Sequence, residues 1–191
     1  MVIFGDSFKK EKTMAKSQFL KSFILSWEGG YACLNGDKGS HTNKGITIAT
    51  YRSVFGSQRT VEDLKTITDA EWLYIFEKLF WSKWKADRIK SQSIANLLVD
   101  WVWHSGNQGI KIPQKALGVA ADGVVGDKTL AAINNYPNEK ELFVKLWHER
   151  EAFLKRIGTG SQAKFLRGWL NRINGIQYGR LICNGGKIIT F

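Results

Sequence analysis

The sequence has few of the residues that build disulfide frameworks or metal centres. Its 191 residues include two cysteines, Cys33 and Cys183, and three histidines, His41, His104 and His148. Two cysteines so far apart do not make a disulfide framework, and we expect each to be a buried thiol. The histidines lack the spacing of metal ligands, so the sequence predicts no zinc site.

Long apolar runs are also missing. Residues 1–12 contain no apolar stretch of the length found in a signal peptide, so we expect no cleaved leader. No run of about 18 apolar residues occurs either, and a membrane-spanning segment is not expected. The chain is therefore expected to be made in the cytoplasm. If its substrate lies outside, something else must carry the protein there.

Acidic residues are scarce relative to basic ones. Seventeen Asp and Glu stand against 28 Lys and Arg, which gives a net charge of +11. A basic surface attracts a polyanion, and the candidates are nucleic acid, anionic lipid and an acidic cell wall. No recognition-helix motif, zinc-finger spacing or basic-aromatic RNA signature is present, so specific nucleic-acid binding is not expected.

Apolar residues at helical spacing are abundant, and strand–helix alternation is absent. The first amphipathic helix runs from Ser17 and ends at Gly29-Gly30, since glycine readily adopts the left-handed conformation of a helix end. Tyr31 to Gly45 is polar and is interpreted as a long loop or small hairpin. The sequence predicts an all-α protein with minor β content. Further helix starts are indicated by the capping boxes Thr60-x-x-Asp63 and Thr68-x-x-Glu71, by Ser91 and by Asn138.

Glu28, Asp37 and Thr42 form the constellation with the clearest chemical meaning. Glycoside hydrolysis needs an acid that protonates the leaving oxygen and an opposing group that orients water or attacks the sugar. Glu28 lies at a helix C-terminus, which disfavours an anion, and its neighbours Trp27 and Tyr31 would partly desolvate it. An ionised Asp37 and the Thr42 hydroxyl would hold the water. On spacing alone, a solvated surface Glu and an ordinary turn Asp are the favoured interpretation.

Two blocks of sequence reverse this preference and favour a catalytic role. Residues 27–31 (WEGGY), with Asp37, Gly39, Thr42 and residues 45–47, resemble the N-terminal signature of glycoside hydrolase family 108. Its members are peptidoglycan N-acetylmuramidases, some of them called secretion activator proteins. Residues 114–130 resemble the peptidoglycan-binding region that follows in this family, and residues 165–172 resemble its closing segment. The resemblance extends from about residue 18 to residue 178.

The resemblance implies roles for particular residues. Glu28 matches the family's catalytic acid. The spacing from Glu28 to Asp37 also resembles phage-type lysozymes, in which an Asp and a Thr place the attacking water, and this carries over to Asp37 and Thr42. Departures occur at His104, where an Asn is expected, and at Lys44, where an aromatic residue is common. The residues predicted to bind substrate are Tyr31, Trp103 and His104.

The implied protein is a lysozyme-like, two-lobed helical fold with a small β-hairpin near the active site. The predicted division is a polar leader (1–13), a catalytic lobe (14–90), a helical peptidoglycan-binding-like lobe (91–180) and a C-terminal tail with a hairpin (181–191). The implied reaction is hydrolysis of the β-1,4 link after N-acetylmuramic acid, without metal or cofactor.

The implied partner is the glycan strand of peptidoglycan, with no nucleic acid and no membrane span. Bacterial walls carry carboxylates and anionic polymers, which suits the basic surface. Release through a holin-like pore, as for a phage endolysin, and a separate export route are both compatible with the missing signal peptide. Two alternatives stay open. One is a non-catalytic wall-binding or secretion-accessory protein on the same fold, and the other is a lytic transglycosylase.

Overall fold

Helices make up most of the structure, a computed structural model that describes residues 14–33 and 41–191. Residues 1–13, the predicted leader, and Asp37 lie outside the described residues. No helix in the described ranges is long and apolar enough to cross a membrane. The predicted class, all-α with minor β content, is confirmed. The helices are α1 (Gln18–Trp27), α2 (Ile48–Phe55), α3 (Val61–Lys65), α4 (Asp69–Phe76), α5 (Gln92–Ser105), α6 (Gln108–Ala116), α7 (Asp127–Asn134), α8 (Glu139–Ile157) and α9 (Ala163–Asn174).

Local side-chain signals set most helix starts. Both predicted capping boxes form: the hydroxyls of Thr60 and Thr68 accept from the backbone N–H three residues on, and the carboxylate there accepts from the threonine N–H. Ser91 and Asn138 cap α5 and α8 in the same way, without the return bond. Each cap satisfies backbone donors that a helix start leaves unpaired.

The central element is α5, which packs against α1, α6 and α8. Every residue from Ser93 to Val102 is buried. Trp72, Trp84 and Trp101 are fully buried and belong to the core around this helix. Because α5 is surrounded on all sides, any polar residue on it must find its partners inside the protein.

The segment predicted as a loop or hairpin contributes to a three-stranded antiparallel sheet of β1 (Ala32–Cys33), β2 (His41–Asn43) and β3 (Ile46–Thr47). The turn between β2 and β3 consists of Lys44 and Gly45, both at positive φ. It is fixed to α4 because the indole N–H of Trp72 donates to the Lys44 carbonyl over 2.9 Å. The sheet therefore has a defined position against the helices.

A second small sheet closes the chain, with β4 (Ile176–Gln177), β5 (Arg180–Ile182) and β6 (Ile188–Thr190) in antiparallel order. β5 and β6 form the hairpin predicted for the C-terminal tail, with Gly185 and Gly186 at positive φ in its loop.

Three details of the sequence interpretation were wrong. Gly29 and Gly30 do not adopt the left-handed conformation; α1 ends because Glu28 is extended, at φ −89° and ψ 142°. The sequence predicts a helix, a glycine-rich turn at residues 121–126 and a second helix over 114–135, but the first of these helices, α6, begins at Gln108. Cys33 is exposed, since β1 is the edge strand of its sheet, whereas Cys183 is buried as predicted.

Candidate active site

Glu28 directly follows the last residue of α1. Its backbone N–H still donates to the Ile24 carbonyl, so its position is tied to the helix, while its extended backbone turns the chain away. The side chain is 20% exposed. A carboxylate that is largely enclosed yet reaches solvent is suited to acting on a bound molecule.

The two carboxylate oxygens of Glu28 have different surroundings. Oε1 accepts from the indole Nε1 of Trp103 at 2.7 Å and from Nη1 of Arg172 at 3.0 Å. Oε2 receives no hydrogen bond from the part of the chain that the structure describes, and it lies beside Gly45. Oε1 is therefore held by two donors, whereas Oε2 has no donor among the described residues.

Arg172 is held in turn by a buried carboxylate. Its Nη2 lies 2.7 Å from Oδ1 of Asp100, and Nη2 of Arg150 lies 2.7 Å from Oδ2 of the same group. Asp100 and Arg150 are completely buried. The chain Glu28–Arg172–Asp100–Arg150 thus alternates in charge and joins α1, α9, α5 and α8. We call these four residues the ion-pair chain.

The charge state of Asp100 follows from its neighbours. Burial by itself raises the pKa of this carboxyl, but the guanidinium groups of Arg172 and Arg150 outweigh burial and hold its pKa at about 2. Asp100 is therefore ionised at neutral and mildly acidic pH. Its carboxylate holds the Arg172 guanidinium in position to donate to Glu28.

The second donor to Glu28, Trp103, is fixed by aromatic packing. Its ring lies 5.5 Å from that of Trp72, 6.0 Å from that of Phe76 and 4.6 Å from that of Phe80. These rings come from α4 and the π-helical turn Glu77–Trp81 that follows it. The packing restricts the indole to one orientation, so its N–H is directed at the carboxylate before any ligand arrives.

Gly45 is the point where the β2–β3 turn touches the carboxylate. A Cβ built on this residue would lie 2.6 Å from Cζ2 of Trp103 and 2.9 Å from Oε2 of Glu28. Its φ of +77° is also a conformation that residues with a side chain rarely adopt. Only glycine permits this approach of the sheet to the acid.

We expect Gly45→Ala to destabilise the protein by about 1–3 kcal/mol, because the methyl group meets both site residues and the backbone is strained. At this size, each kcal/mol lowers the thermal midpoint by about 2–4 °C. Thermal melts measure the effect. Gly168→Ala is the matched control, since it lies within α9 and its methyl group meets nothing within 4 Å. Equal midpoints for the two variants would contradict the close approach.

The remaining predicted residues lie on the sheet or on α5. Thr42 is half-buried in β2, with Ala32 and Thr47 as its cross-strand neighbours. Tyr31 is 39% exposed, and its hydroxyl hydrogen-bonds to Nδ1 of His41 over 2.7 Å while the two rings stack. These side chains stand on the same sheet as the turn that touches Glu28.

Residues 21–106 match the family model for glycosyl hydrolase 108, and residues 108–174 match the model for a predicted peptidoglycan domain. Among solved structures, that of Brucella abortus SagA is 33% identical, with a TM-score of 0.70, over 85% of this chain and 92% of that one. The chain belongs to the glycosyl hydrolase 108 family. No curated protein matches it.

In this family 108 protein, the site draws on both matched regions. Glu28, Asp100 and Trp103 fall within residues 21–106, whereas Arg150 and Arg172 fall within residues 108–174. The peptidoglycan domain therefore contributes directly to the surroundings of the acid. The division into lobes at residue 90 stays a prediction. The two matches identify a cell-wall-related, lysozyme-like protein with peptidoglycan as its partner.

His104 lies on the α9 side of α5 in this family 108 protein. Its ring packs edge-on against Trp169, with centroids 5.6 Å apart, and its Nδ1 is 3.3 Å from the Ser105 hydroxyl. Burial, together with the positive charge of Arg150, lowers the pKa of His104 to about 4. The imidazole is therefore neutral near neutral pH.

The lowered pKa of His104 predicts an acid-sensitive stability. Unfolded, the ring takes up a proton below about pH 6.5, but the folded protein resists this until about pH 4. Stability is therefore expected to fall by up to about 3 kcal/mol as the pH drops through this window. Urea denaturation at pH 7, 5.5 and 4 measures it. His104→Gln should show a flatter profile, and an unchanged profile would rule out His104 as the cause.

Proposed function

We propose that this protein is a peptidoglycan hydrolase of the N-acetylmuramidase type, with Glu28 as its general acid. It cleaves the β-1,4 link after N-acetylmuramic acid. The observation that supports this most strongly is the asymmetry of the Glu28 carboxylate. Oε1 accepts from Trp103 and Arg172, while Oε2 lies beside Gly45 of the β2–β3 turn and has no donor among the described residues.

The asymmetry suits proton delivery to a leaving oxygen. We assign proton delivery to Oε2, because no donor in the described residues bonds to it, and the proton passes from Oε2 to the glycosidic oxygen as the bond breaks. The carboxylate that results is stabilised at Oε1 by the indole N–H of Trp103 and the guanidinium of Arg172. The donors are in place beforehand, so little reorganisation accompanies the transfer.

Water must then reach the sugar from the opposite side. We propose that Asp37 and Thr42 position it, since the β-sheet carrying Thr42 approaches Glu28 through Gly45. The distance between the two catalytic carboxyl groups separates inverting from retaining chemistry, and stereochemical analysis of the product by NMR determines which applies.

Asp37→Asn and Thr42→Val are expected to slow hydrolysis by at least about 10-fold without weakening binding to the wall, because they disturb the water and leave the acid intact. Turbidity clearing and wall pull-down measure the two properties. A thermal melt of Thr42→Val separates a catalytic defect from lost stability. Activity of Asp37→Asn within about twofold of wild type would remove Asp37 from the mechanism.

The net charge suggests where the protein acts. With a net charge of +11, it is attracted to the carboxylates and anionic polymers of a wall. We propose that it is made in the cytoplasm and acts on the cell wall, reaching it through a holin-like pore or by its own export route. Lysis assays with and without a co-expressed holin distinguish the two routes.

Mass spectrometry of muropeptides from purified wall treated with the protein tests the proposed reaction. A muramidase leaves reducing N-acetylmuramic acid ends. Anhydro ends would instead identify a lytic transglycosylase, which needs no attacking water. Intact wall that nevertheless retains the protein in a pull-down would identify a non-catalytic wall-binding protein.

A further inference from the structure

A cavity of about 320 Å³ lies where the last turns of α1 and α9 meet the loop between β5 and β6. Its lining includes Trp27 from α1, Asn171 and Asn174 from α9, and residues 182–186, with Asn184 among them. We call it the asparagine cavity. Its volume falls in the range of small-molecule sites in proteins, which begins at roughly 300 Å³.

The walls of the asparagine cavity are fixed by backbone contacts. The Ile182 N–H donates to the Gly175 carbonyl over 2.7 Å, which joins β5 to the end of α9. The backbone N–H of Asn184 donates to the Ser26 hydroxyl over 2.9 Å, which joins the hairpin loop to α1. A Cβ on Gly175 would lie only 2.5 Å from the Ile182 carbonyl oxygen, so the packing there is close. The cavity is therefore pre-formed, and a ligand need not order it.

The lining combines three asparagines with apolar side chains and carries no charge, although the protein as a whole is strongly basic. Each of the three asparagine side chains offers an amide acceptor and two donors. In the described residues, none of these side-chain amides has a hydrogen-bond partner. Gly185 and Gly186 add backbone that no side chain covers. Such a lining favours a neutral ligand rich in hydroxyl and amide groups over an anion.

Trp27 adds an apolar component. An indole packs well against the C–H face of a sugar ring while neighbouring amides bind its polar groups. The Nε1 of Trp27 is also buried and has no acceptor among the described residues, which is costly for a polar atom. Amide groups, a large aromatic residue and the absence of charge together match a sugar bearing an acetamido group.

The asparagine cavity and the ion-pair chain share two helix ends. Trp27 precedes Glu28, and Asn171 precedes Arg172, so the same two helix ends supply the ion-pair chain and the cavity wall. We propose that the asparagine cavity binds a neutral N-acetylated hexose of the glycan strand. The proposal rests on the proposed function, since that sugar belongs to the strand cleaved at Glu28.

The test uses the full chain carrying Glu28→Gln, which prevents cleavage, and tetra-N-acetylchitotetraose as the probe. Isothermal titration calorimetry measures its affinity for this parent and for the parent with Asn171→Ala and Asn174→Ala added. Both asparagines are exposed on α9, and alanine favours a helix, so the fold is retained. Losing two amide side chains should weaken binding by about 10-fold or more. Asn135→Ala, an exposed asparagine far along the chain, is the matched control and should bind like the parent.

The acetamido group is tested separately. Cellotetraose has the same sugar backbone as tetra-N-acetylchitotetraose but carries hydroxyl groups in place of the acetamido groups. We expect it to bind at least about 10-fold more weakly than the acetylated probe. The proposal is overturned if the double variant binds the probe as tightly as the parent, if cellotetraose binds equally well, or if the parent does not bind the probe at millimolar concentration.

Wall digestion by the wild-type chain is measured in parallel. If the wild-type chain digests wall but the double variant binds the probe like its parent, only the proposal for the asparagine cavity is rejected. If the parent binds the probe through the asparagines but the wild-type chain does not digest wall, the proposed reaction is rejected instead.

Discussion

Replacing Glu28 with Gln is expected to slow the clearing of wall suspensions by about 10²- to 10⁴-fold, the usual contribution of a general acid. The glutamine amide oxygen can still accept from Trp103 and Arg172, so the anchored half of the group persists. What is lost is the proton at the position of Oε2. The variant should fold and bind wall but hardly cleave it.

Two measurements accompany this comparison. Glu149→Gln removes one negative charge from an exposed site on α8 and should digest wall like the wild type, which controls for the change in net charge. Thermal melts of Glu28→Gln check that the fold is retained. A Glu28→Gln protein that clears walls at nearly the wild-type rate would exclude Glu28 as the acid, and with it the main reason for proposing an enzyme.

Asp100→Asn is expected to destabilise the protein by about 3–5 kcal/mol, because it leaves the guanidinium groups of Arg150 and Arg172 without their buried counter-charge. The thermal midpoint should fall by roughly 10 °C. Asp127→Asn is the matched control. Asp127 also pairs with an arginine, at 3.0 Å from Arg88, but its side chain is 85% exposed, and such pairs contribute less than about 1 kcal/mol.

The pH dependence of stability gives a second test of Asp100. Its pKa of about 2 in the folded protein lies below the ordinary value of 3.8. The stabilisation is therefore fully present above about pH 4 and is lost as the pH falls toward 2. It amounts to about 2 kcal/mol. Urea denaturation at pH 4, 3 and 2 should show this loss in the wild type and a smaller one in Asp100→Asn. Parallel curves would mean that the ion-pair chain does not stabilise the fold.

The features that sequence patterns predicted are local ones. The starts of α3, α4, α5 and α8 depend on a capping side chain within three residues. Such signals are read directly from spacing. The fold class followed from the helical spacing of apolar residues, which is also a local pattern.

The partners of Glu28 could not be predicted in the same way. Trp103 is 75 residues away and Arg172 is 144 residues away, and no spacing rule connects them to a helix end. One signal was available: Asp100 interrupts an apolar helix, and a charge on a buried helix requires partners. That argument identifies a buried ion pair, but it cannot say which arginines complete it.

The ion-pair chain also has a consequence for how the protein is made. Arg172 belongs to the last helix, so during translation Glu28 leaves the ribosome long before the group that anchors it. A nascent chain that ends between residues 150 and 172 contains Glu28, Asp100 and Arg150 but lacks Arg172, the guanidinium that pairs with both carboxylates. The surroundings of the Glu28 carboxylate are therefore completed only when synthesis is nearly finished. The two matched regions are consequently not interchangeable modules, because a graft of residues 21–106 onto another scaffold would need to supply an arginine at this place.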